Sequence, residues 1–286
     1  LDRTRGARFM SENKIPLAGV IGSPIAHSKS PQIHSHWLKV NGISGHYIPI
    51  DVDRDDLEYI IRTLPRMGFV GANVTLPHKE RVLEIADLVT DRAALIGAAN
   101  TLIFRRDGKI HADNTDGVGF IQNVRQKAPT WEPKNGPAAV FGAGGAARAV
   151  VASLIEAGVP EVFISNRPRV RADALQDDFG KRVIIFDWVQ AGNMLDDASL
   201  LVNTTSLGMI GQPPLRVPLD GLRKTTIVND LVYAPLKTRL LAEAEETGCQ
   251  VVDGLGMLLH QAVPAFERWF GVRPTVDTAS RAAALR

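Results

Sequence analysis

Short apolar runs along this chain alternate with stretches whose apolar residues recur at helical spacing, the rhythm of strands and helices following one another. Leu17–Ile21 is an apolar run closed by Gly22, and Pro31 is placed to begin a helix that runs toward Asn41. His46–Ile50 reads as a strand, Asp53 as an N-cap, and Leu57, Ile60, Ile61 and Leu64 as the buried face of a helix. A short strand from Gly71 precedes Pro77, which opens another helix. Gly97–Leu102 starts a strand, Asp107–Gly108 turns it, and Lys109–Ala112 returns. Asp116–Gly117 then opens a helix with Val118, Phe120, Ile121 and Val124 on its apolar side.

Lys127–Pro137 breaks this rhythm, because Pro129, Pro133 and Pro137 flank Asn135–Gly136 and no helix or central strand tolerates that spacing. Beyond this connector Ala138–Val140 enters a glycine turn, and Glu161–Ser165, Val183–Phe186, Leu200–Asn203, Thr226–Asp230 and Cys249–Val252 read as further strands. A broad apolar helix follows Gly254 and carries Gln261 among its apolar residues. The pattern predicts an α/β protein in which an N-terminal α/β unit is joined to a doubly wound, Rossmann-type sheet.

The turn gives the second unit its chemistry. Phe141, Gly142, Ala143, Gly144, Gly145, Ala146, Ala147 and Arg148 carry the chain from strand to helix. Gly142 permits a tight turn, Gly144 lets the backbone approach a pyrophosphate, and the helix start is positive toward it. A turn of this spelling in an alanine-rich chain is also found without a ligand, so the context decides. An NAD-binding unit places Asp or Glu at the end of the second strand; here the residues are Asn166, Arg167, Pro168, Arg169, Val170 and Arg171. Guanidinium groups in place of a carboxylate suit a 2′-phosphate, which points to NADP(H) over NAD.

Composition narrows the remaining classes. With 33 basic and 31 acidic residues interspersed, the net charge of +2 offers nucleic acid no basic face. No apolar run reaches the length of a membrane span. A single cysteine, Cys249, and no Cys/His cluster exclude internal disulfides and zinc-site spacing, leaving no predicted metal and fitting a cytoplasmic location. Leu1–Met10 is basic without the apolar core of a secretion signal, so residues 1–13 are expected to be a disordered leader or an expression remnant.

Polar residues gather at the predicted strand ends of the first half. Ser28 and Ser30 lie two apart in a loop, although Ser30 alone reads more readily as a helix cap, which leaves Ser28 unaccounted for. Asn73, Thr75 and Lys79 alternate out of one strand, and a lysine in a first helical turn gains nothing from the helix dipole. Asn114, Thr115 and Asp116 precede a helix that Thr115 or Asp116 would otherwise simply cap. Thr204 opens a polar stretch at the end of another strand, where ligands bind in such sheets.

Taken in order, Ile25-Ala26-His27-Ser28-Lys29-Ser30-Pro31, Asn73-Val74-Thr75-Leu76-Pro77-His78-Lys79, Ala99-Asn100-Thr101-Leu102, Asn114-Thr115-Asp116-Gly117, the glycine turn, Asn166-Arg167 and Asp253-Gly254-Leu255-Gly256-Met257 resemble the shikimate dehydrogenase family. The resemblance covers nearly the whole chain after Lys14 and implies reversible reduction of 3-dehydroshikimate by NADPH. It implies a substrate domain of residues 14–116 and 254–286, interrupted by an NADP-binding domain over 117–253. It assigns Lys79 and Asp116 as the catalytic pair. Ser28, Ser30, Asn73, Thr75, Asn100, Tyr233 and Gln261 would hold the substrate, which Asp116 also touches. Gly142, Ala143, Gly144, Gly145, Ala146, Asn166, Arg167, Arg171, Thr204, Gly254 and Met257 would hold the cofactor. The partners implied are this small molecule alone, without nucleic acid or membrane, in a monomer or homodimer.

Hydroxyl and amide side chains suit a polyhydroxylated ring acid, and Lys79 is placed to give the carbonyl oxygen its proton. In the reverse direction Lys79 must start neutral, which a neighbouring carboxylate opposes, so Asp116 is expected to orient Lys79 and the substrate hydroxyl. One departure stands out: the family commonly has threonine where this chain has Pro168, which removes a hydroxyl and an N–H from the phosphate pocket. Compensation falls to Arg169 or Arg171, of which Arg171 better fits the family's second arginine. Two readings compete: a paralogue that oxidises quinate or an amino-substituted analogue, with either NAD or NADP, and a non-catalytic NADP(H)-binding regulator. Retention of both Lys79 and Asp116 argues against the regulator.

Overall fold

Two six-stranded sheets organise the chain, which the computed structural model describes over residues 15–286. The leader expected over 1–13 lies outside these residues. The first half runs β1 (Leu17–Gly22), α1 (Ser30–Val40), β2 (His46–Asp51), α2 (Leu57–Thr63), β3 (Phe69–Val74), α3 (Val82–Ile85), β4 (Leu88–Val89), α4 (Asp91–Ile96), β5 (Thr101–Phe104) and β6 (Ile110–Asp113). Its sheet has the order β2-β1-β3-β5-β6-β4 and is mixed: β1 runs parallel to β2 and β3, whereas the hairpin of β5 and β6 makes β5 antiparallel to β3. Asn73 stands opposite Thr101, and Thr101 opposite Asp113, so three polar strand ends meet on one rim.

After α5 (Asp116–Lys127) the second sheet contains β7 (Ala138–Phe141), α6 (Gly145–Ala157), β8 (Val162–Ser165), α7 (Val170–Phe179), β9 (Val183–Ile185), β10 (Leu200–Asn203), β11 (Ile227–Asp230), α8 (Arg239–Thr247) and β12 (Gln250–Val252). All its pairings are parallel in the order β12-β11-β10-β7-β8-β9. This is the doubly wound order, and its switch point lies between β7 and β10, where such sheets bind ligands. Both faces of β7, β8 and β10 are covered, so these strands read as nearly unbroken apolar runs.

The chain ends in α9 (Gly254–Phe270) and α10 (Thr278–Ala284). Leu259, Ala262, Phe266 and Trp269 of α9 bury against Ala18, Val20, Ile33 and Trp37, so the C-terminus packs on the first sheet. Trp269 donates its indole N–H to the Leu102 carbonyl at 3.1 Å, and Trp37 donates to Ser280 Oγ at 3.0 Å. Each fully buried aromatic removes enough apolar area to contribute roughly 1.5–3 kcal/mol.

Several local readings are corrected. No helix starts at Pro77: His78 N–H bonds to the Thr75 carbonyl in a turn, and α3 begins only at Val82. Asp53 begins a turn that Asp56 closes, and Asp56 precedes α2. The periodicity does not reveal α4, which is six residues long, capped by the Thr90 hydroxyl and ended by Gly97 at φ +72°.

Candidate active site

A cavity of 640 Å³ opens between the polar rim of the first sheet, the start of α9 and the start of α6. All nine residues expected to meet the substrate line it: Ser28, Ser30, Asn73, Thr75, Lys79, Asn100, Asp116, Tyr233 and Gln261. They come from the β1–α1 loop and the start of α1, the end of β3 and the β3–α3 connection, the approach to β5, the start of α5, the loop after β11, and α9. The fold thereby converges residues that are more than 200 positions apart.

Lys79 Nζ lies 2.6 Å from Asp116 Oδ2, and Asn100 Nδ2 donates to Asp116 Oδ1 at 2.8 Å. Asp116 is therefore held from both sides, and its side chain is only 9% exposed. Its carboxylate caps no helix; the α5 N-terminus is reached instead by Asn114, whose Oδ1 accepts the Asp116 N–H at 3.0 Å. Asn114 is fixed in turn by donating to the Ala98 carbonyl at 2.8 Å. Beneath it, burial pushes the Asp113 carboxyl up, but hydrogen bonds from Arg92 and Thr90 outweigh burial and hold it below its ordinary value.

The two asparagines are positioned by residues to which sequence reasoning gave no role. Tyr47 donates its hydroxyl to Asn73 Oδ1 at 2.7 Å, while Asn73 donates to the Asn100 carbonyl and to Thr101 Oγ1. Thr101 donates to Asn100 Oδ1 at 2.9 Å, and the Thr115 hydroxyl donates to the Gln261 backbone carbonyl at 2.8 Å. Gln261 Oε1 accepts from Asn100 at 3.0 Å, closing the network across from α9. Thr101 and Thr115 lie inside quoted motifs, so proximity to Asn100 and Asp116 was their signal. Tyr47 offered none, since its contact spans two strands.

Ser30 does not cap α1. Ser28 Oγ instead accepts the Ser30 N–H at 3.3 Å, while Ser30 is buried beside the Tyr47 hydroxyl. Burial raises the Tyr47 pKa well above its ordinary value, and Ser30 opposes that shift. Tyr233 is raised by burial too, so both phenols remain donors at neutral pH. The backbone at Tyr233 is set by Asp230, which accepts the Val232 N–H at 3.0 Å.

The residues of the glycine turn fit a dinucleotide. Phe141 stands in register with Asn203 and Ser165, so the turn leaves the sheet at its switch point. Gly142 has φ +107°, and a Cβ there would sit 2.5 Å from Thr204 Oγ1, which itself donates to the Phe141 carbonyl. Thr204 thus braces the turn. Gly144 and Gly145 face open space, no side chain among the described residues caps the α6 N-terminus, and its amide groups are of the kind that bind a phosphate. Ala143 is buried beneath the turn, while Ala146, Gly254 and Met257 line the shared cavity. At the end of β8, Asn166 folds its own loop by donating to the Pro168 carbonyl at 2.7 Å. Arg169 is bound to Asp187 and Asp173, which leaves Arg167 and Arg171 exposed for a 2′-phosphate.

Comparison with known proteins is uniform along the chain. The family profile described as shikimate dehydrogenase substrate binding domain matches residues 20–102, that of shikimate / quinate 5-dehydrogenase matches 124–209, and that of the shikimate 5'-dehydrogenase C-terminal domain matches 254–283. The chain is 70% identical over 272 residues to shikimate dehydrogenase (NADP(+)) of Cereibacter sphaeroides, covering 95% of this chain and 98% of that one. The crystal structure of the Thermus thermophilus shikimate 5-dehydrogenase, in complex with NADP(H) and shikimate, is 38% identical with a TM-score of 0.83, covering 95% and 99% of the two chains. Quinate dehydrogenase from Corynebacterium glutamicum, in complex with NAD, superposes with a TM-score of 0.88 over 96% and 99%, at 31% identity.

Proposed function

The chain belongs to the shikimate dehydrogenase family, and on that premise we propose how its residues carry out the reversible NADPH-dependent reduction of 3-dehydroshikimate to shikimate. It is an oxidoreductase of the CH–OH group that uses NADP(H), in the family's pathway to aromatic amino acids. We assign residues 14–116 and 254–286 to substrate and 117–253 to the dinucleotide, a division supported by two separate six-stranded sheets.

NADP(H), when bound, supplies or takes the hydride. The protein's task is to hold the ring and move one proton. Ser28 and Ser30 offer hydroxyls to the ring carboxylate. Thr75, Tyr233, Gln261 and the asparagines Asn73 and Asn100 face the ring hydroxyls. As the carbonyl becomes an alcohol, the Lys79 ammonium donates a proton to its oxygen. The Lys79 side chain is 21% exposed, which gives solvent a route to restore that proton. Asp116 aims Lys79 and accepts from the reacting hydroxyl, and Asn100 restrains its rotation. In the oxidative direction Lys79 takes the proton back, against the pull of Asp116.

The observation that carries this reading is the 2.6 Å Lys79–Asp116 pair inside a cavity lined by every expected substrate residue. Initial rates with shikimate or quinate against NADP or NAD test it. The highest kcat/KM is expected for shikimate with NADP; activity confined to quinate with NAD contradicts it. A cytoplasmic location and a monomeric or homodimeric state complete the proposal. The lone buried Cys249 supports the former.

A further inference from the structure

The three arginines beyond β8 have different surroundings. Arg169 is engaged by Asp187 at 2.5 Å and by Asp173 at 3.3 Å. Arg167 instead lies over the indole of Trp188, the residue after Asp187, with its guanidinium carbon 5.3 Å from the ring centroid. Trp188 is half-buried and packs edge-on against Phe141, the last residue before the glycine turn, at 6.1 Å between centroids. One aromatic side chain therefore links the start of the phosphate-binding turn to the exposed guanidinium beyond the neighbouring strand.

That link answers a deficit in the loop. Pro168 has no N–H and no polar side chain, and the Asn166 amide is used on the Pro168 carbonyl. The charged donors that this loop can offer a 2′-phosphate are its guanidinium groups, and Asp187 engages one of them. A long arginine side chain on an exposed loop loses rotamer freedom when it binds a ligand. An aromatic face beneath it holds the guanidinium plane in advance and leaves its in-plane N–H groups for a bidentate phosphate contact.

We propose that Trp188 is a specificity-determining residue of this chain, positioning Arg167 so that the 2′-phosphorylated dinucleotide is preferred over the unphosphorylated one. The inference rests on the NADP reading above. Titration calorimetry in the absence of substrate tests it, with NADP, NAD and adenosine 2′,5′-bisphosphate as probes of the wild type, Trp188→Phe and Trp188→Leu. In Trp188→Leu the Kd of NADP and of the bisphosphate rises about two- to fivefold, the range of an exposed cation–π contact, while the Kd of NAD stays within error and reports an intact turn. Trp188→Phe, which keeps an aromatic face, retains most of the preference. Equal losses for NADP and NAD in Trp188→Leu, or no loss for either, overturn the inference while leaving the cofactor reading standing. A wild-type chain that binds NAD as tightly as NADP overturns both.

Discussion

His34 is enclosed by Trp37, Tyr47, Phe266 and Trp269, stacked on Tyr47 with 3.9 Å between ring centroids. Neither ring nitrogen has a partner among the described residues, and burial lowers its pKa to about 3. The unfolded chain protonates this imidazole near its ordinary value of about 6.5, whereas the folded chain keeps it neutral. Its contribution to stability is therefore fully present above pH 6.5 and is lost as pH falls from there toward 3, at up to about 1.4 kcal/mol per pH unit. Replacing the ring by an aliphatic side chain, His34→Leu, should flatten the dependence of unfolding free energy on pH between 6.5 and 5 in urea titrations. Identical slopes for the two proteins would remove His34 as the source. At this scale the residues legible as site candidates were those whose neighbours in the chain carry the same chemistry, Ser28 with Ser30 and Asn73 with Thr75, and the structure places all four on one cavity. The sequence did not disclose His34, Tyr47 or the Asp187 that occupies Arg169, because those contacts arise only when separate elements meet.

Gly71 shows how an element's place is fixed by what a neighbour lacks. It sits in β3, and a Cβ there would collide with the Trp269 indole and the Leu102 carbonyl. Leu102 is backbone-fixed in β5, and Trp269 is bonded to that same carbonyl, so neither has room to yield. Gly71→Ala is expected to destabilise the protein by about 1–3 kcal/mol through overpacking, read as a lower urea midpoint with an unchanged m-value. A midpoint equal to wild type would show that α9 tolerates displacement from the first sheet. Strands of the parallel sheet were legible because burial on both faces makes them apolar runs; each strand from β8 to β12 lies within a predicted segment. Short elements were not: β4 has two residues, α3 has four and α4 has six, too few for a period to show. Proline favours both turns and helix starts, so the sequence does not distinguish the turn at Pro77 from a helix start.

For the whole molecule, the proposed function assigns different halves of one chemistry to the two units. Cofactor chemistry was legible in the glycine turn and in Asn166–Arg171, because phosphate binding is local: it needs backbone amides and cations near one strand end. Substrate chemistry was legible only as an ordered set of motifs, since no single polar strand end distinguishes a ligand contact from a cap. The geometry brings these motifs together: Thr101, Thr115, Asn100, Asp116 and Gln261 form one hydrogen-bonded network. If Lys79 is its proton donor, removing the ammonium should leave both binding halves in place. Lys79→Ala, measured for kcat and, separately, for equilibrium binding of shikimate and of NADP, tests this most directly. The account predicts kcat lower by at least about a hundredfold, with both dissociation constants within an order of magnitude of wild type. Near-normal turnover in that variant would contradict it.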